Sequence, residues 1–241
     1  MNTDQTLHQL KQLKLHGMAT VYQSQLELPL HQQLEAHELI ANLSQAELLN
    51  RNNERTAYYL KLAKLRLNAH PENVDCSPAR NLSKQQLNLL LQGNYIHQGE
   101  PVLITGPTGC GKSHLACALA YQACTQGYRT QYFNMNRFIE RITLSKLDGS
   151  YLNQLNHLER TPLIILDDFG LQALDDQIKL ALLQILEDRY SKKSIIITSQ
   201  LPVAKWHEFL KEPTLADAIL DRLTAKAHRI ELKGDSLRKK K

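Results

Sequence analysis

A glycine-rich loop between a strand pattern and a helix pattern is the feature that most constrains this chain. The apolar run from Pro101 to Thr105 leads into the loop, which has the form G-x-x-x-x-G-K-S and reads GPTGCGKS. A helix pattern follows at once, from Ser113 to about Gln126. Strand, loop and helix in this order are the context in which such a loop binds phosphate. We therefore expect the chain to fold around a nucleotide phosphate site.

Each residue type in this loop has a chemical reason to be there. Glycines permit the tight backbone path that turns amide N–H groups toward phosphate oxygens, and the helix N-terminus adds partial positive charge. Lys112 can reach the β- and γ-phosphates, and the hydroxyl of Ser113 can bind Mg²⁺. The predicted ATP-binding residues are Gly106, Pro107, Thr108, Gly109, Cys110, Gly111, Lys112, Ser113 and His114.

An apolar strand that ends in two acids is the second signal. Asp167 and Asp168 follow the aliphatic run of residues 163–166, and Asp167 lies 55 residues after Lys112. Because the carboxyl ends of parallel strands share one edge of a sheet, both acids are expected beside the glycine-rich loop. Asp167 is predicted to hold Mg²⁺, and Asp168 to orient and polarise the attacking water. Acids also cap strands for purely structural reasons, and that alternative stays open.

The end of the fourth strand pattern supplies a candidate sensor of the γ-phosphate. Gln200 is the predicted sensor, and Ser199 and Thr198 are its rivals for the same role. A polar side chain at this position can hold the attacking water beside the phosphate. A plain strand cap is the structural alternative.

Arg222 is the candidate arginine finger. Such a guanidinium comes from a neighbouring subunit and stabilises the negative charge that concentrates on the γ-phosphoryl oxygens. The structural alternative is an ion pair between Arg222 and Asp217 or Asp221. Arg229 and Arg238 are weaker candidates for the same work.

The first 70 residues are predicted to be helical. Apolar residues keep helical spacing at the start of the chain, with a break at Gly17, and a second helix pattern covers about 30–40. Ser44 and Glu47 have the spacing of a capping box, which predicts that a third helix begins there and runs toward residue 67.

The third predicted helix carries a cluster of basic residues with tyrosines between them. This combination suits phosphate contact and base stacking. On a helical wheel the charges do not form one stripe, so a DNA-contacting surface and a solvated helix face fit the pattern equally. The candidate DNA-binding residues are Arg51, Arg55, Lys61, Lys64 and Arg66.

The remaining patterns predict the domains and the fold class. Prolines and weak periodicity over 71–82 indicate a linker, which separates a helical DNA- or partner-binding region (1–70) from an ATPase domain (83–241). In that domain, apolar strand patterns alternate with helix patterns, which predicts an α/β fold with a five-stranded parallel sheet. The strands are expected at about 101–105, 129–133, 162–167, 194–199 and 228–232. The chain ends soon after the fifth strand pattern, so we expect little or no helical lid.

Composition sets looser bounds. The net charge of +5, from 29 basic and 24 acidic residues, permits contact with a polyanion without requiring it. The four cysteines have no metal-binding spacing and are expected to be small apolar side chains. Neither a secretory signal nor an apolar run of transmembrane length is present. A bacterial-type cytoplasm and no membrane partner are the expectations.

Several motifs together resemble one known family. The segments GPTGCGKS, LIILDDFG, IIITSQLP, PTLADAILDRL and AHRIELKGDSLRKK are similar to those of IstB-type transposition helper ATPases. These proteins belong to the AAA+ superfamily and are similar to DnaC-type helicase loaders. The N-terminal segments LKLHGMA and RNNERTAYYLKLAKLR also resemble this family. The resemblance covers nearly the whole chain.

The resemblance implies an ATP- and Mg²⁺-dependent regulator of insertion-sequence transposition. Such a protein assembles into a ring or spiral on duplex DNA, deforms it, and recruits and stimulates a partner transposase. By motif match it assigns the same roles to Lys112, Ser113, Asp167, Asp168, Gln200 and Arg222. Most AAA+ proteins have Glu where Asp168 stands, which implies slow turnover here. A DnaC-like helicase loader is the alternative function, and a small-molecule kinase would need a substrate pocket and lid that the sequence does not suggest.

Overall fold

One parallel sheet of five strands organises the larger part of the chain. The computed structural model describes residues 3–237, so Arg238 lies outside the described residues. The strands are β1 (Val102–Thr105), β2 (Thr130–Asn134), β3 (Leu163–Phe169), β4 (Ser194–Ser199) and β5 (His228–Glu231). Their spatial order is β2-β3-β4-β1-β5, and every pairing is parallel. The predicted α/β fold with five parallel strands is confirmed.

Helices flank the sheet and form the N-terminal part of the described chain. They are α1 (Thr3–Gln12), α2 (His16–Leu26), α3 (Ala36–Ala63), α4 (Lys84–Leu91), α5 (Asn94–Gln98), α6 (Lys112–Thr125), α7 (Met135–Leu147), α8 (Tyr151–Arg160), α9 (Asp176–Arg189), α10 (Trp206–Leu210) and α11 (Pro213–Thr224). Residues 232–237, which follow β5, form no α-helix.

The apolar character of β3 explains why the sheet is buried on both faces. Ile164 and Leu166 belong to one hydrophobic core, with α7, α8, α9 and α11. Leu163 and Ile165 point the other way, into a core that includes α4 and α6. Because successive strand residues face opposite sides, a continuous aliphatic run is what a strand between two helix layers needs.

The register of the strands sets polar residues side by side at one edge. Thr105 of β1 pairs with Ser199 of β4, and Asn134 of β2 pairs with Asp167 of β3. Since all the strands run the same way, these residues mark the carboxyl edge of the sheet. The glycine-rich loop between β1 and α6 begins at the same edge, and Lys112 and Ser113 of the GKS motif are the first two residues of α6.

The chain divides into two units between Tyr58 and Tyr59, and the N-terminal unit corrects one prediction about Gly17. The break between α1 and α2 lies earlier, at residues 13–15, and Gly17 is in the first turn of α2. A Cβ atom at Gly17 would lie 2.4 Å from the backbone oxygen of Ala46 on α3. Glycine is therefore required for the close approach of two helices, not for a helix end.

The predicted helix start at Ser44 is also wrong. Helix α3 runs without interruption from Ala36 to Ala63, so Ser44 lies inside it. Glu47, the supposed capping partner, accepts hydrogen bonds from the backbone N–H groups of Gly17 at 2.9 Å and Met18 at 3.3 Å. Its carboxylate therefore anchors the start of α2 on α3. The separate helix predicted over 30–40 is likewise replaced by a short 3₁₀ turn and the start of α3.

Three helices of the ATPase core were not predicted: α5, α8 and α10. Thr214 and Asp217 have the sequence spacing of a capping pair, which predicts a helix start at Thr214, but this prediction is wrong. Glu212 is the N-cap of α11, and its carboxylate accepts a hydrogen bond from the backbone N–H of Leu215 at 2.6 Å. Helix α4 begins with a capping box formed by Ser83 and Gln86.

Candidate active site

The glycine-rich loop holds its lysine folded across it. The Nζ of Lys112 donates to the backbone oxygens of Gly106 and Pro107, each at 2.9 Å, and the side chain is buried. Gly111 precedes α6 with φ of 104°, a conformation that side-chain-bearing residues rarely adopt. The loop thus presents a helix N-terminus and an ammonium group to the same cavity, as a phosphate site requires.

Ser113 and Asp167 meet beside this loop. The Oγ of Ser113 donates to Oδ1 of Asp167 at 2.9 Å. Asp167 is fully buried, and it also accepts hydrogen bonds from the hydroxyls of Thr198 and Tyr132. Hydroxyl and carboxylate oxygens are the ligands that Mg²⁺ prefers, and few protein ligands are needed when phosphates and water supply the rest. The donor set present here therefore fits Mg²⁺.

Asp168 lies one residue further, where β3 departs from regular strand geometry. Its φ is +66°, and the register between β3 and β4 shifts between Leu166 and Phe169. The backbone N–H of Asp168 donates to Oγ1 of Thr198 at 3.0 Å, and Nδ2 of Asn134 donates to Oδ2 of Asp168 at 2.9 Å. The bulge and these two bonds turn the second acid away from the buried strand and toward the cavity.

Arg66 also lies at the acids, although the charge pattern had suggested a DNA contact. Its Nη1 is 3.1 Å from Oδ2 of Asp168 and 3.5 Å from Oδ2 of Asp167. Hydrogen bonding to Tyr132, together with the nearby acids, raises the pKa of Arg66. Burial raises the pKa of Tyr132, so its hydroxyl stays a donor to Asp167. One guanidinium thus faces both carboxylates.

The three candidate sensor residues at the end of β4 make different contacts. Gln200 reaches the glycine-rich loop, where its Oε1 accepts a hydrogen bond from Oγ1 of Thr108 at 2.7 Å. Thr198 bonds to the acids, as described above. Ser199 is buried, and its hydroxyl donates to the backbone oxygen of Phe169 at 2.6 Å. The backbone oxygen of Ser199 accepts a hydrogen bond from the N–H of Gly106 at 3.2 Å, but Gln200 is the one of the three whose side chain bonds to the phosphate-binding loop.

Arg222 is not brought to the glycine-rich loop of its own chain. It lies near the C-terminal end of α11, where it forms ion pairs with Glu187 of α9 at 3.0 Å and with Asp221 at 3.4 Å. Asp217, the other acid considered as its partner, pairs with His207 at 3.2 Å. Arg222 lines a small cavity with residues such as Pro101, at the amino edge of the sheet.

The other candidate DNA-binding residues are on or just after α3. Arg51 forms an ion pair with Glu47 at 2.7 Å, and this bond is the main cause that lowers the pKa of Glu47. Arg55 donates to Asn52 at 3.1 Å. Lys61 is exposed on α3, and Lys64 is exposed just beyond its end. Each of these four residues is therefore described by its own partner or by its exposure, and not by a contact that they share.

A cavity of about 840 Å³ is lined by the predicted ATP-binding residues 108–114, together with residues that the sequence did not point to. Leu82, Leu232 and Leu237 are apolar members of its wall, and the N–H of Leu237 donates to the backbone oxygen of Gly109 at 3.0 Å. Desolvation lowers the pKa of His114 in this wall. The apolar side of the cavity suits a nucleobase next to the phosphate loop.

Tyr132 and Asn134 were also missed by sequence reasoning. Both belong to β2, which follows β1 in the chain but lies beside β3 in the sheet. The sequence did offer one signal, the polar residues in YFN at the end of this strand pattern. The order of the strands in the sheet, however, decides which acids these residues contact. Among the helices of residues 3–237, none combines the length and apolar character that a membrane crossing needs.

Comparison with known families gives a match along nearly the whole chain. The family model described as "IstB-like ATP binding protein" matches residues 8–241. The putative insertion sequence ATP-binding protein y4uH of Sinorhizobium fredii is 42% identical over 97% of this chain and 94% of its own length. The putative ATP-binding protein of insertion sequence IS1162 from Pseudomonas fluorescens is 39% identical over 84% of this chain and 88% of its own length.

Solved structures with a similar fold include proteins of DNA replication. The crystal structure of the DnaC helicase loader superposes with a TM-score of 0.60, at 22% identity over 71% of this chain and all of that one. AMPPCP-bound DnaA from Aquifex aeolicus superposes with a TM-score of 0.61, at 22% identity over 73% of this chain and 53% of that one. At this level of identity the likeness concerns the fold alone.

Proposed function

We propose, from the premise that the chain belongs to the IstB-like ATP-binding protein family, that it is an ATP-dependent regulator of transposition that assembles on duplex DNA and recruits a transposase. The chain is an insertion-sequence-associated ATPase with an AAA+ fold. The observation that carries the proposal is the contact of Ser113 with Asp167 beside Lys112. Those three residues make a place for a metal–triphosphate unit.

The proposed roles at the site follow from its contacts. Ser113 and Asp167 would hold Mg²⁺, which supplies positive charge to the phosphate oxygens when bound. Lys112 is expected to exchange its two backbone acceptors for the β- and γ-phosphates. Asp168 accepts a proton from the attacking water, and Asn134 holds the carboxylate of Asp168 in place. Gln200 is the proposed sensor, since its amide is tied to the phosphate loop through Thr108.

Assembly is proposed to complete the site. Arg222 lies away from the glycine-rich loop of its own chain, so a role as arginine finger requires the loop of a neighbour. Its partner Glu187 is half-exposed, and such surface pairs are weak, which leaves the guanidinium available for exchange. A homo-oligomer in the form of a ring or spiral follows from head-to-tail contacts of this kind.

The helical region before residue 71 is proposed to contact DNA, with Arg51, Arg55, Lys61 and Lys64 as phosphate partners. Contacts of this type carry no sequence information and weaken as salt rises. The net charge of +5 agrees with such binding but does not by itself require it. Residues 71–82 would link this region to the ATPase domain over 83–241.

The first experiment tests whether ATP controls DNA binding. Binding to labelled duplex is measured without nucleotide, with ADP, and with a nonhydrolysable ATP analogue. The wild type is expected to bind tightly only with the analogue, and Lys112→Ala to lose this dependence because its phosphate site is damaged. Lys192→Ala, which removes one exposed charge elsewhere, is the matched control. ATP-independent binding by the wild type would contradict the proposal.

The second experiment tests whether Arg222 acts across subunits. Lys112→Ala and Arg222→Ala are each expected to lose ATP turnover, the second by about 10³-fold or more. Mixing the two inactive variants creates interfaces with an intact loop on one side and an intact Arg222 on the other. Recovery of turnover on mixing supports the trans role, and a mixture as inactive as its components contradicts it.

A third experiment separates the transposase regulator from the helicase loader. The wild-type protein, assembled on duplex DNA with the ATP analogue, is presented to the transposase of its own insertion sequence and to a hexameric replicative helicase. Capture of the transposase, with stimulation of strand transfer, is expected. Capture of the helicase alone would favour the loader.

A further inference from the structure

The contact between Arg66 and the two acids has no part in the proposed hydrolysis and calls for a separate explanation. Arg66 is three residues beyond the end of α3, and its side chain is 44% exposed. Nη1 nevertheless reaches Oδ2 of Asp168 at 3.1 Å and Oδ2 of Asp167 at 3.5 Å. An ion pair between exposed side chains contributes little free energy. The burial of the carboxylates must therefore account for the position of the Arg66 guanidinium.

The two carboxylates need a positive partner in this structure. Asp167 is fully buried, and its three hydroxyl donors, from Ser113, Thr198 and Tyr132, are neutral. An uncompensated buried charge is costly. Within the described residues, Arg66 is the cation that forms ion pairs with Asp167 and Asp168. The nearby ammonium of Lys112 is bonded to backbone oxygens of the loop instead.

We propose that Arg66 is a removable counter-ion of the catalytic acids, which occupies them in the metal-free protein and has to leave when Mg²⁺·ATP binds. This inference rests on the proposed roles of Asp167 and Asp168 as metal acid and water acid. Mg²⁺ brings two positive charges to Asp167, so the guanidinium is no longer needed there. While Arg66 bonds to Oδ2 of Asp168, that oxygen is also engaged and cannot accept the proton of an attacking water.

The backbone around Arg66 is held in place, so the proposed exchange can involve its side chain alone. Leu65 packs against the core around α6, and Ala69 is buried there, so the backbone on both sides of Arg66 is anchored. The side chain can therefore swing away while the segment stays in place.

The test measures how much Mg²⁺ the protein needs to bind nucleotide, in the absence of DNA and of ATP hydrolysis. Binding of a fluorescent nonhydrolysable ATP analogue is titrated with Mg²⁺, and the Mg²⁺ concentration at half-maximal binding is compared between variants. Arg66→Ala is expected to lower this concentration about 3- to 10-fold, because the metal no longer competes with a charge-assisted pair. Arg160→Ala is the matched control, since Arg160 is exposed at the end of α8, just before the amino end of β3.

The outcomes separate this inference from the proposed function. An unchanged or higher midpoint in Arg66→Ala would overturn the counter-ion role, and a higher one would mean that Arg66 helps to bind the nucleotide. Asp167→Asn is expected to raise the midpoint strongly. If Asp167→Asn leaves it unchanged, the proposed metal site and this inference both fail.

A second measurement uses the wild type and does not depend on the folding of a variant. Arginine side chains are labelled with phenylglyoxal and mapped by mass spectrometry, with and without Mg²⁺ and the ATP analogue. Arg66 is expected to react faster when both ligands are present, whereas Arg160 reacts at a constant rate. Unchanged or slower labelling of Arg66 would overturn the proposal.

Discussion

The two edges of the central sheet each hold an arginine guanidinium, but in opposite ways. At the carboxyl edge, the acids Asp167 and Asp168 face a half-exposed guanidinium, that of Arg66. At the amino edge, the guanidinium of Arg189 is 2% exposed and faces backbone oxygens only. The first arrangement pairs a cation with carboxylates, which the proposed exchange requires. In the second, the hydrogen-bond acceptors of the guanidinium among residues 3–237 are backbone oxygens.

Arg189 acts as a fixed brace between the starts of two strands. Its guanidinium donates to the backbone oxygen of Thr161 at 2.7 Å and to those of Leu158 and Ser194. Burial lowers the pKa of Arg189, since desolvation disfavours the charged form. The comparison teaches that the same residue type serves permanent structure when its acceptors belong to the backbone, and exchange when they are carboxylates.

The largest effect is expected at the carboxyl edge, from Asp168→Asn. Loss of the base should lower kcat about 10²- to 10⁴-fold, while binding of an ATP analogue is kept. Asparagine tolerates positive φ about as well as aspartate does, so the backbone should be unchanged. Phosphate release measures the effect, and Glu159→Gln, at an exposed position of α8, is the control. A kcat close to that of the wild type would remove Asp168 from the mechanism.

The matching test at the amino edge is Arg189→Met. Several backbone oxygens would lose a charged donor, so the free energy of unfolding should fall by about 3 to 5 kcal/mol. Urea denaturation measures the change, with Arg160→Met as the exposed control. A loss below about 1 kcal/mol would mean that the brace is dispensable.

Tyr132→Phe sharpens the comparison within the carboxyl edge. This variant removes one hydroxyl donor from buried Asp167, which should lower the free energy of unfolding of the metal-free protein by about 1.5 to 3 kcal/mol. Tyr190→Phe, at an exposed tyrosine, is the control and should be near neutral. Equal stability of the two variants would show that Asp167 does not depend on Tyr132.

The smallest effect is expected from Glu187→Gln, which removes the partner of Arg222. Both side chains of this ion pair are partly exposed, so the loss should be below about 1 kcal/mol. Because high salt screens such pairs, the difference from the wild type should shrink further at about 1 M NaCl. A larger, salt-independent loss would mean that Arg222 is held too firmly to act on a neighbour.

Predictions from the sequence were most accurate for elements that a short stretch of residues defines. The glycine-rich loop and the five strands need only short stretches to be recognised, and the strands were predicted within a few residues. In each case the pattern that identifies the element is contained in a short stretch of the chain.

Predictions failed where the partner is distant. Glu47 looked like a capping residue, but it bonds to Gly17, 30 residues earlier, because α2 packs on α3. The contact of Arg66 with Asp168, 102 residues away, was likewise not indicated by the sequence, whereas the DNA-binding role of its basic cluster stays a prediction. Such contacts depend on tertiary packing that no single helix or strand pattern contains. The contacts of Tyr132 and Asn134 with the acids were missed for the same reason, because they depend on β2 lying beside β3 in the sheet.

The left-handed backbone at Asp168 limits how this catalytic centre can be re-engineered. Short acids and amides are the residues that tolerate positive φ at modest cost, because their side chains can bond locally. In the proposed mechanism, glutamate would gain reach toward the water but would strain the main chain that presents it. A variant with a longer carboxylate is therefore expected to need a redesigned bulge beneath it as well.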